Sequence, residues 1–90
     1  MQVRIPGLLR SYTKGAEIVG IEPRTASPTL ADALAELDAR FPGLRFRIVD
    51  EQGAIRPHIK IFIDGELARD LGTVARPEAE LMIVGALSGG

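Results

Sequence analysis

The residues with the clearest chemical potential are the two glycines at positions 89 and 90. Glycine has no Cβ, so Gly89 and Gly90 can pass through a narrow channel and let another protein's backbone approach closely. A free α-carboxylate at Gly90 is ionised at neutral pH and is a poor electrophile. A separate ATP-dependent enzyme would have to convert it to an acyl adenylate, whose acyl carbon then accepts sulfur or an amine. We expect Gly90 to be the modified residue, and Leu87, Ser88 and Gly89 to be recognised by the modifying partner.

Other residue types that support catalysis are sparse. His58 is the only histidine and there is no cysteine, which excludes His-pair metal sites, thiolate-bound zinc, disulfides and a cysteine nucleophile. The most conspicuous acidic pair, Asp50 and Glu51, lies beside Gly53 in a predicted turn, where carboxylates are ordinarily solvated. We expect no catalytic residue, no metal ion and no cofactor bound by this chain.

The middle of the sequence is locally basic, with Arg45, Arg47, Arg56 and His58 close together. This basic segment has two interpretations. It either steers an acidic partner surface or a phosphate group toward the protein, or it is a solvated strand surface without a partner.

The composition indicates one small globular domain that is stabilised by packing alone. A chain of 90 residues, 46% hydrophobic and 26% charged, is too apolar for a disordered protein and too short for two domains. Its net charge of -1 argues against a nucleic-acid partner, because phosphate-binding domains carry a basic excess. The longest apolar run, 81–87, is far shorter than a membrane span, and the first residues do not form a secretory signal. We expect a cytoplasmic protein without membrane contact.

The first part of the sequence predicts a β-hairpin. Val3 and Ile5 alternate with polar neighbours, which is the period of a half-buried strand, and 16–21 is a second β-rich run. Gly15 lies just before this second run and can adopt the positive φ that a hairpin loop often requires.

A single helix is predicted over 29–40. Apolar residues recur there at helical spacing until Pro42 and Gly43 stop the pattern. Two N-caps are possible: Ser27, with a proline at the first helical position, or Thr29, with an acidic residue three positions later.

The second half of the sequence predicts further strands. Residues 46–49 indicate a short strand, and 59–63 a longer one. Asp64 and Gly65 then form a dipeptide that is favoured in tight hairpin turns, because both positions tolerate positive φ. The last strand is predicted over 80–84.

This order of elements predicts an α+β domain with a ubiquitin-like β-grasp fold, in which a mixed sheet of four or five strands packs on one main helix. We expect the β-grasp domain to span 1–86. Residues 87–90 are expected to form a flexible tail, because nothing in the sequence anchors them and ordering a residue costs backbone entropy.

Strand alternation also predicts where partners bind. Phe62, Met82 and Val84 should lie on the side of the sheet away from the helix, whereas Ile61 and Ile83 should face it. An apolar patch that no helix covers often marks a protein interface. The sequence therefore predicts a partner interface at Phe62, Met82 and Val84.

The sequence resembles the ubiquitin-like sulfur-carrier family, which includes the small subunit of molybdopterin synthase, the thiamine sulfur carrier and the carrier of one route to cysteine. The resemblance covers nearly the whole chain, and the diglycine is its most specific element. The segments that carry it are 3–6 with Leu9 and Arg10, Thr29 with Leu30, 61–66, and 83–90.

The resemblance implies that an E1-like enzyme uses ATP to adenylate Gly90, and that a sulfurtransferase or sulfide then supplies the sulfur of a thiocarboxylate. A sulfur-accepting biosynthetic enzyme would use this sulfur for cysteine or for a sulfur-containing cofactor. The chain would thus be a protein cosubstrate and not an enzyme. Leu9 and Arg10 resemble family positions near the partner surface, and Phe62 and Val84 resemble positions of ubiquitin's apolar recognition patch.

Three other functions remain open. The first is a molybdopterin synthase small subunit, although such subunits commonly carry a proline pair where this chain has Gly85 and Ala86, and the ending is more similar to the cysteine-pathway carriers. The second is a protein modifier joined to lysines, although Lys14 and Lys60 offer few amines for branching. The third is an interaction domain whose terminal glycines are accidental and frayed.

Overall fold

The structure, a computed structural model, describes residues 1–85, which form one mixed sheet and two α-helices. The strands are β1 (Gln2–Arg4), β2 (Ile18–Gly20), β3 (Ile59–Ile63), β4 (Glu66–Ala68) and β5 (Glu80–Gly85). The helices are α1 (Leu30–Arg40) and the short α2 (Leu44–Ile48), and one 3₁₀ turn spans Gly7–Leu9. No helix within residues 1–85 is long and apolar enough to cross a membrane.

The strands are ordered β2-β1-β5-β3-β4 across the sheet. The two strands β1 and β5 run parallel, and the other neighbouring pairs are antiparallel. Val3 in β1 is in register with Leu81 in β5, and neither has exposed surface. Because successive side chains of a strand point to opposite faces of the sheet, the side chains of β5 alternate between a buried face and an open face.

The core forms where α1 packs on one face of the sheet. The apolar face of α1 contributes Leu30, Leu34 and Leu37, all without exposed surface. Thr29 is the N-cap: its Oγ1 accepts a hydrogen bond from the Asp32 amide at 3.2 Å, and the Asp32 carboxylate accepts one from the Thr29 amide at 2.9 Å. This reciprocal capping box decides between the two caps that the sequence allowed.

The prediction of a strand over 46–49 is wrong, because the chain forms the helix α2 there. Gly43, at a φ of 95°, reverses the chain after α1, and the Asp38 carboxylate accepts hydrogen bonds from the amides of Gly43 and Arg45 at 3.1 Å. Leu44 and Ile48 are four residues apart and have no exposed surface, as one turn of a helix requires.

The predicted tight turn between β3 and β4 is confirmed. Asp64 and Gly65 have φ values of 49° and 85°. A two-residue turn with positive φ at both positions matches the twist of two antiparallel strands. The turn sets the register by pairing Ile63 with Glu66 and Phe62 with Leu67. Phe62 and Leu67 therefore project from the same face of the sheet.

Asp50 organises the turn between α2 and β3. Its Oδ1 accepts hydrogen bonds from the amides of Gln52 at 2.9 Å and Ala54 at 3.0 Å. The bond from Ala54 and then that from Gln52 lower the pKa of Asp50 below its ordinary value of 3.8, and the charge of Arg56 lowers it further. Asp50 thus belongs to a solvated turn, which is the role that the sequence predicted for it.

Asp50 should make a pH-dependent contribution to stability. Because its folded pKa is lowered, the contribution is complete above pH 3.8 and is lost as the pH falls through the folded pKa. Asp50→Asn keeps an acceptor oxygen but does not titrate. We expect the wild-type urea midpoint to exceed that of Asp50→Asn near neutral pH, and the difference to disappear in acid. A constant difference across the pH series would contradict this assignment.

Candidate functional site

The strand β5 leads directly to the residues with the predicted chemistry. Its last residue, Gly85, is paired with Ile59 of β3 at one end of the sheet, which we call the exit end. The predicted tail, Leu87, Ser88, Gly89 and Gly90, lies outside the described residues. Its recognition and modification, and the domain boundary at residue 86, therefore stay predictions.

A leucine packs against the end of β5. A Cβ added to Gly85 would overlap the Cδ2 atom of Leu8 and lie 3.3 Å from its Cγ atom and 3.4 Å from Cδ1 of Ile59. The absence of a side chain at Gly85 therefore allows Leu8 to pack closely on the last residue of the strand. The exit end carries an apolar residue, Leu8, that is 39% exposed.

The prediction that Leu9 lies at the partner interface is corrected by the structure. The side chain of Leu9 is only 2% exposed and belongs to the core. Successive residues of a 3₁₀ helix point about 120° apart, so a turn that buries Leu9 directs its neighbour Leu8 toward solvent. Leu8 is the leucine of this turn that a partner can contact.

The three apolar residues predicted on the open face are brought together. Phe62 is directly opposite Met82, and Val84 is the next residue of β5 on that face, opposite Lys60. Phe62 is half-buried, while Met82 and Val84 are 41% and 38% exposed. The structure therefore places Phe62, Met82 and Val84 on one contiguous surface.

Two further residues, neither of them predicted from the sequence, extend this surface. The register across the sheet aligns one residue from each strand, in the order Ile18, Arg4, Met82, Phe62 and Leu67. Ile18 and Leu67 are 44% and 40% exposed. The signal for Leu67 was present, because a two-residue turn at Asp64 and Gly65 places Leu67 opposite Phe62. Ile18 needed the pairing of β1 with β2. We call these five residues and Val84 the open face.

Arg10, the other predicted interface residue, borders the open face. Its Nε donates a hydrogen bond to the Ile5 carbonyl oxygen at 3.0 Å, and its guanidinium lies 3.6 Å from the Glu17 carboxylate. Arg10 lines a shallow groove of about 260 Å³ together with Met82, Val84 and Gly85. The groove therefore connects the open face to the exit end.

The electrostatics of this surface are mild. Arg4, between Ile18 and Met82 on the open face, lies 3.5 Å from the Glu80 carboxylate, and both side chains are about half exposed. Such exposed pairs contribute little to stability and are screened by salt. Within residues 1–85, no group of three or more His, Asp or Glu side chains is arranged to hold a metal ion. The described residues thus form an exposed, largely apolar surface that reaches the last residue of β5.

The described residues define a class of protein. A five-stranded mixed sheet, with parallel strands at its centre and one main helix on one face, is the ubiquitin-like β-grasp fold. The predicted α+β fold class is confirmed, and the sheet has the larger of the two predicted strand numbers.

Solved structures resemble this chain along its whole length. SAMP1 from Haloferax volcanii is 28% identical with a TM-score of 0.83, and covers 100% of this chain and 98% of its own. A chain of the Amycolatopsis orientalis BexX/CysO complex is 26% identical with a TM-score of 0.83, and covers 99% of this chain and 98% of its own. Mycobacterium tuberculosis CysO, an antigen, is 24% identical with a TM-score of 0.81 over 96% of this chain and 98% of its own, and shares the fold. No protein-family model and no curated protein sequence matches the chain.

These structural neighbours are ubiquitin-like sulfur carriers of the type that the sequence resembles, so the predicted resemblance is confirmed. The neighbours support a sulfur-carrier or modifier role for this chain. They are small carrier and modifier proteins rather than catalysts, which fits a chain that is not an enzyme.

Proposed function

We propose that the chain is a sulfur carrier whose Gly90 carboxylate is activated and thiolated by partner proteins. A carboxylate oxygen of Gly90 attacks the α-phosphorus of ATP on an E1-like enzyme, and pyrophosphate leaves. Sulfide then attacks the acyl carbon, and AMP leaves. If the persulfide of a sulfurtransferase attacks instead, AMP leaves an acyl disulfide, and a thiol must cleave its S–S bond to give the thiocarboxylate and a mixed disulfide with the sulfurtransferase. The resulting thiocarboxylate passes its sulfur to a biosynthetic enzyme that makes cysteine or a sulfur-containing cofactor.

The observation that carries this proposal is the apolar open face beside the exit end. Met82 and Val84 lie on the same strand that leads to the diglycine. Five residues follow Gly85, and at full extension they span at most about 18 Å. An enzyme that holds Gly90 in its active site must therefore also lie against the exit end, where the open face supplies apolar contact area.

The tail itself suits entry into an enzyme. Gly89 and Gly90 have no side chain to obstruct a narrow channel. In this proposal Leu87 and Ser88 supply the contacts that a partner recognises before the channel narrows. A chain of the BexX/CysO complex is among the structures that resemble this protein, which supports a function exercised through other proteins.

A protein modifier is the second candidate. A structural neighbour is named small archaeal modifier protein 1, and the same acyl adenylate of Gly90 can be attacked by a lysine amine instead of sulfide. The two functions share the activation step and differ in the nucleophile. A molybdopterin synthase small subunit has less support, because Gly85 and Ala86 replace the proline pair that is common there.

Intact-protein mass spectrometry tests the proposal. The chain is incubated with ATP, sulfide and an E1-like adenylating enzyme from the same cell, with a Gly90 deletion as the control. We expect the full-length chain to gain the mass difference between sulfur and oxygen, and the deleted chain to gain nothing. A ladder of lysine conjugates in cell extract would favour the modifier. No mass change with any E1-like enzyme of the cell would refute the carrier function.

A further inference from the structure

Two pairs of arginine and aromatic side chains involve the consecutive residues Phe46 and Arg47 of α2. The Arg56 guanidinium carbon lies 4.6 Å from the centre of the Phe46 ring, and Arg56 Nε donates a hydrogen bond to the Phe46 carbonyl oxygen at 2.8 Å. The Arg47 guanidinium carbon lies 5.7 Å from the centre of the Tyr12 ring, and Arg47 Nε donates to the Tyr12 hydroxyl. We call these four residues the arginine cluster.

The arginine cluster is connected to the exit end on two sides. The Arg56 carbonyl accepts a hydrogen bond from the Ile59 amide at 2.9 Å, and Ile59 is paired with Gly85. The Tyr12 amide donates to the carbonyl of Leu9 at 3.0 Å, one residue after the leucine that packs on Gly85. The backbone that carries Arg56 and Tyr12 therefore lies next to the exit end.

The two arginines of the cluster have charge available for a partner. Within residues 1–85, the carboxylates within 4.0 Å of an arginine belong to pairs formed by Arg4, Arg10, Arg24 and Arg76. Arg47 and Arg56 form no such pair. The charge of Arg56 acts on Asp50, but the Oδ1 atom of Asp50 already accepts hydrogen bonds from two backbone amides of its own turn. Arg45, His58 and the exposed Glu51 are the other charged or titratable groups nearby in the chain.

The geometry also favours binding over simple solvation. Phe46 is 54% exposed, and stacking on Phe46 together with the carbonyl hydrogen bond holds Arg56 in one orientation. A guanidinium that is already held in place loses less side-chain entropy when it binds a carboxylate. Arginine and aromatic residues are the types that contribute most to protein interfaces. The net charge of -1 favours an acidic protein surface over nucleic acid as the occupant.

We propose that the arginine cluster binds an acidic surface segment of the enzyme that activates the tail, as a second contact beyond the open face. This inference rests on the proposed carrier function. The charge attraction accelerates the encounter between the two proteins and orients the exit end toward the active site. The basic segment had two interpretations, a surface that steers an acidic partner and a solvated surface without a partner. The proposal favours the first interpretation for Arg47 and Arg56.

Charge reversal tests the proposal with a matched control. Arg47→Glu combined with Arg56→Glu is compared with Arg24→Glu combined with Arg76→Glu, which makes the same change of charge at residues outside the arginine cluster. The control also breaks the surface ion pairs of Arg24 and Arg76, which contribute little to stability. The readout is pyrophosphate release by the E1-like enzyme as a function of carrier concentration and salt. We expect kcat/KM to fall about 10-fold at low ionic strength for the cluster variant, through a higher KM, and less at high salt. The control should change less than about 2-fold.

The outcomes separate this proposal from the carrier function. If the wild-type chain releases pyrophosphate and the cluster variant matches it, the arginine cluster is not a contact. If the wild-type chain is not adenylated at all, the carrier function fails. A second measurement then tests the cluster independently: NMR titration of the full chain with hexaglutamate and, separately, with polyuridylate. Selective shifts of the Arg47 and Arg56 Nε–H signals by hexaglutamate support an acidic protein partner. Equal shifts at all arginines, or tighter binding of polyuridylate, overturn it.

Discussion

Met82→Asp is expected to reduce kcat/KM for adenylation of the chain by about 30-fold or more, the effect of losing roughly 2 kcal/mol at the centre of an interface. Met82 lies in the middle of the open face, between Arg4 and Phe62 in neighbouring strands. A carboxylate there must be desolvated when an apolar partner surface covers it. The measurement is pyrophosphate release by the E1-like enzyme at varied carrier concentration.

The fold should tolerate this substitution. Met82 is 41% exposed, so the new carboxylate stays in water in the free protein and faces the Arg4 guanidinium across the strand pair. Val74→Asp is the matched control, because Val74 is 53% exposed and lies in the connection after β4. We expect Val74→Asp to leave kcat/KM within about 3-fold, as is usual for residues outside an interface. A Met82→Asp chain that is folded and activated at the wild-type rate would exclude the open face as the docking surface.

Local patterns account for the parts of the fold that the sequence predicted correctly. The alternation of Ile61 with Phe62, and of Ile83 with Val84, is a period-two signal that strand pairing does not change. The Asp64 and Gly65 turn depends on the backbone preference of those two residues alone. These signals were sufficient to predict three residues of the open face before any strand order was known.

The errors arise where the outcome depends on distant parts of the chain. Residues 46–49 alternate weakly, and the helix there is decided by Asp38, whose carboxylate caps the turn from the preceding helix. Leu8 and Leu9 are equally apolar, and only the position of the 3₁₀ turn against the core decides which one is buried. Ile18 joined the open face through the pairing of β1 with β2, which brings together residues that are 14 positions apart.

Leu81→Ala should lower the stability of the fold and leave docking intact, whereas Met82→Asp at the adjacent residue should impair docking and leave the fold intact. Leu81 has no exposed surface and is paired with Val3 on one side and Ile63 on the other. Removing its branched side chain leaves a cavity in the core, on the buried face of the middle strand. We expect the free energy of unfolding to fall by about 3 kcal/mol, within the range for buried leucines, as measured by urea denaturation. Met82→Ala is the control and should cost less than about 1 kcal/mol.

The temperature dependence of activation then separates folding from docking. A domain of this size has about 5 to 15 kcal/mol of stability, so the Leu81→Ala chain remains folded at 25 °C and should be adenylated there at nearly the wild-type rate. Its activity should be lost at a lower temperature than that of the wild type, together with its folded structure. Met82→Asp should be impaired at every temperature at which it is folded. A Leu81→Ala chain that is folded at 25 °C but inactive would contradict this separation. Activation would then depend on the buried face of β5 as well as on its open face.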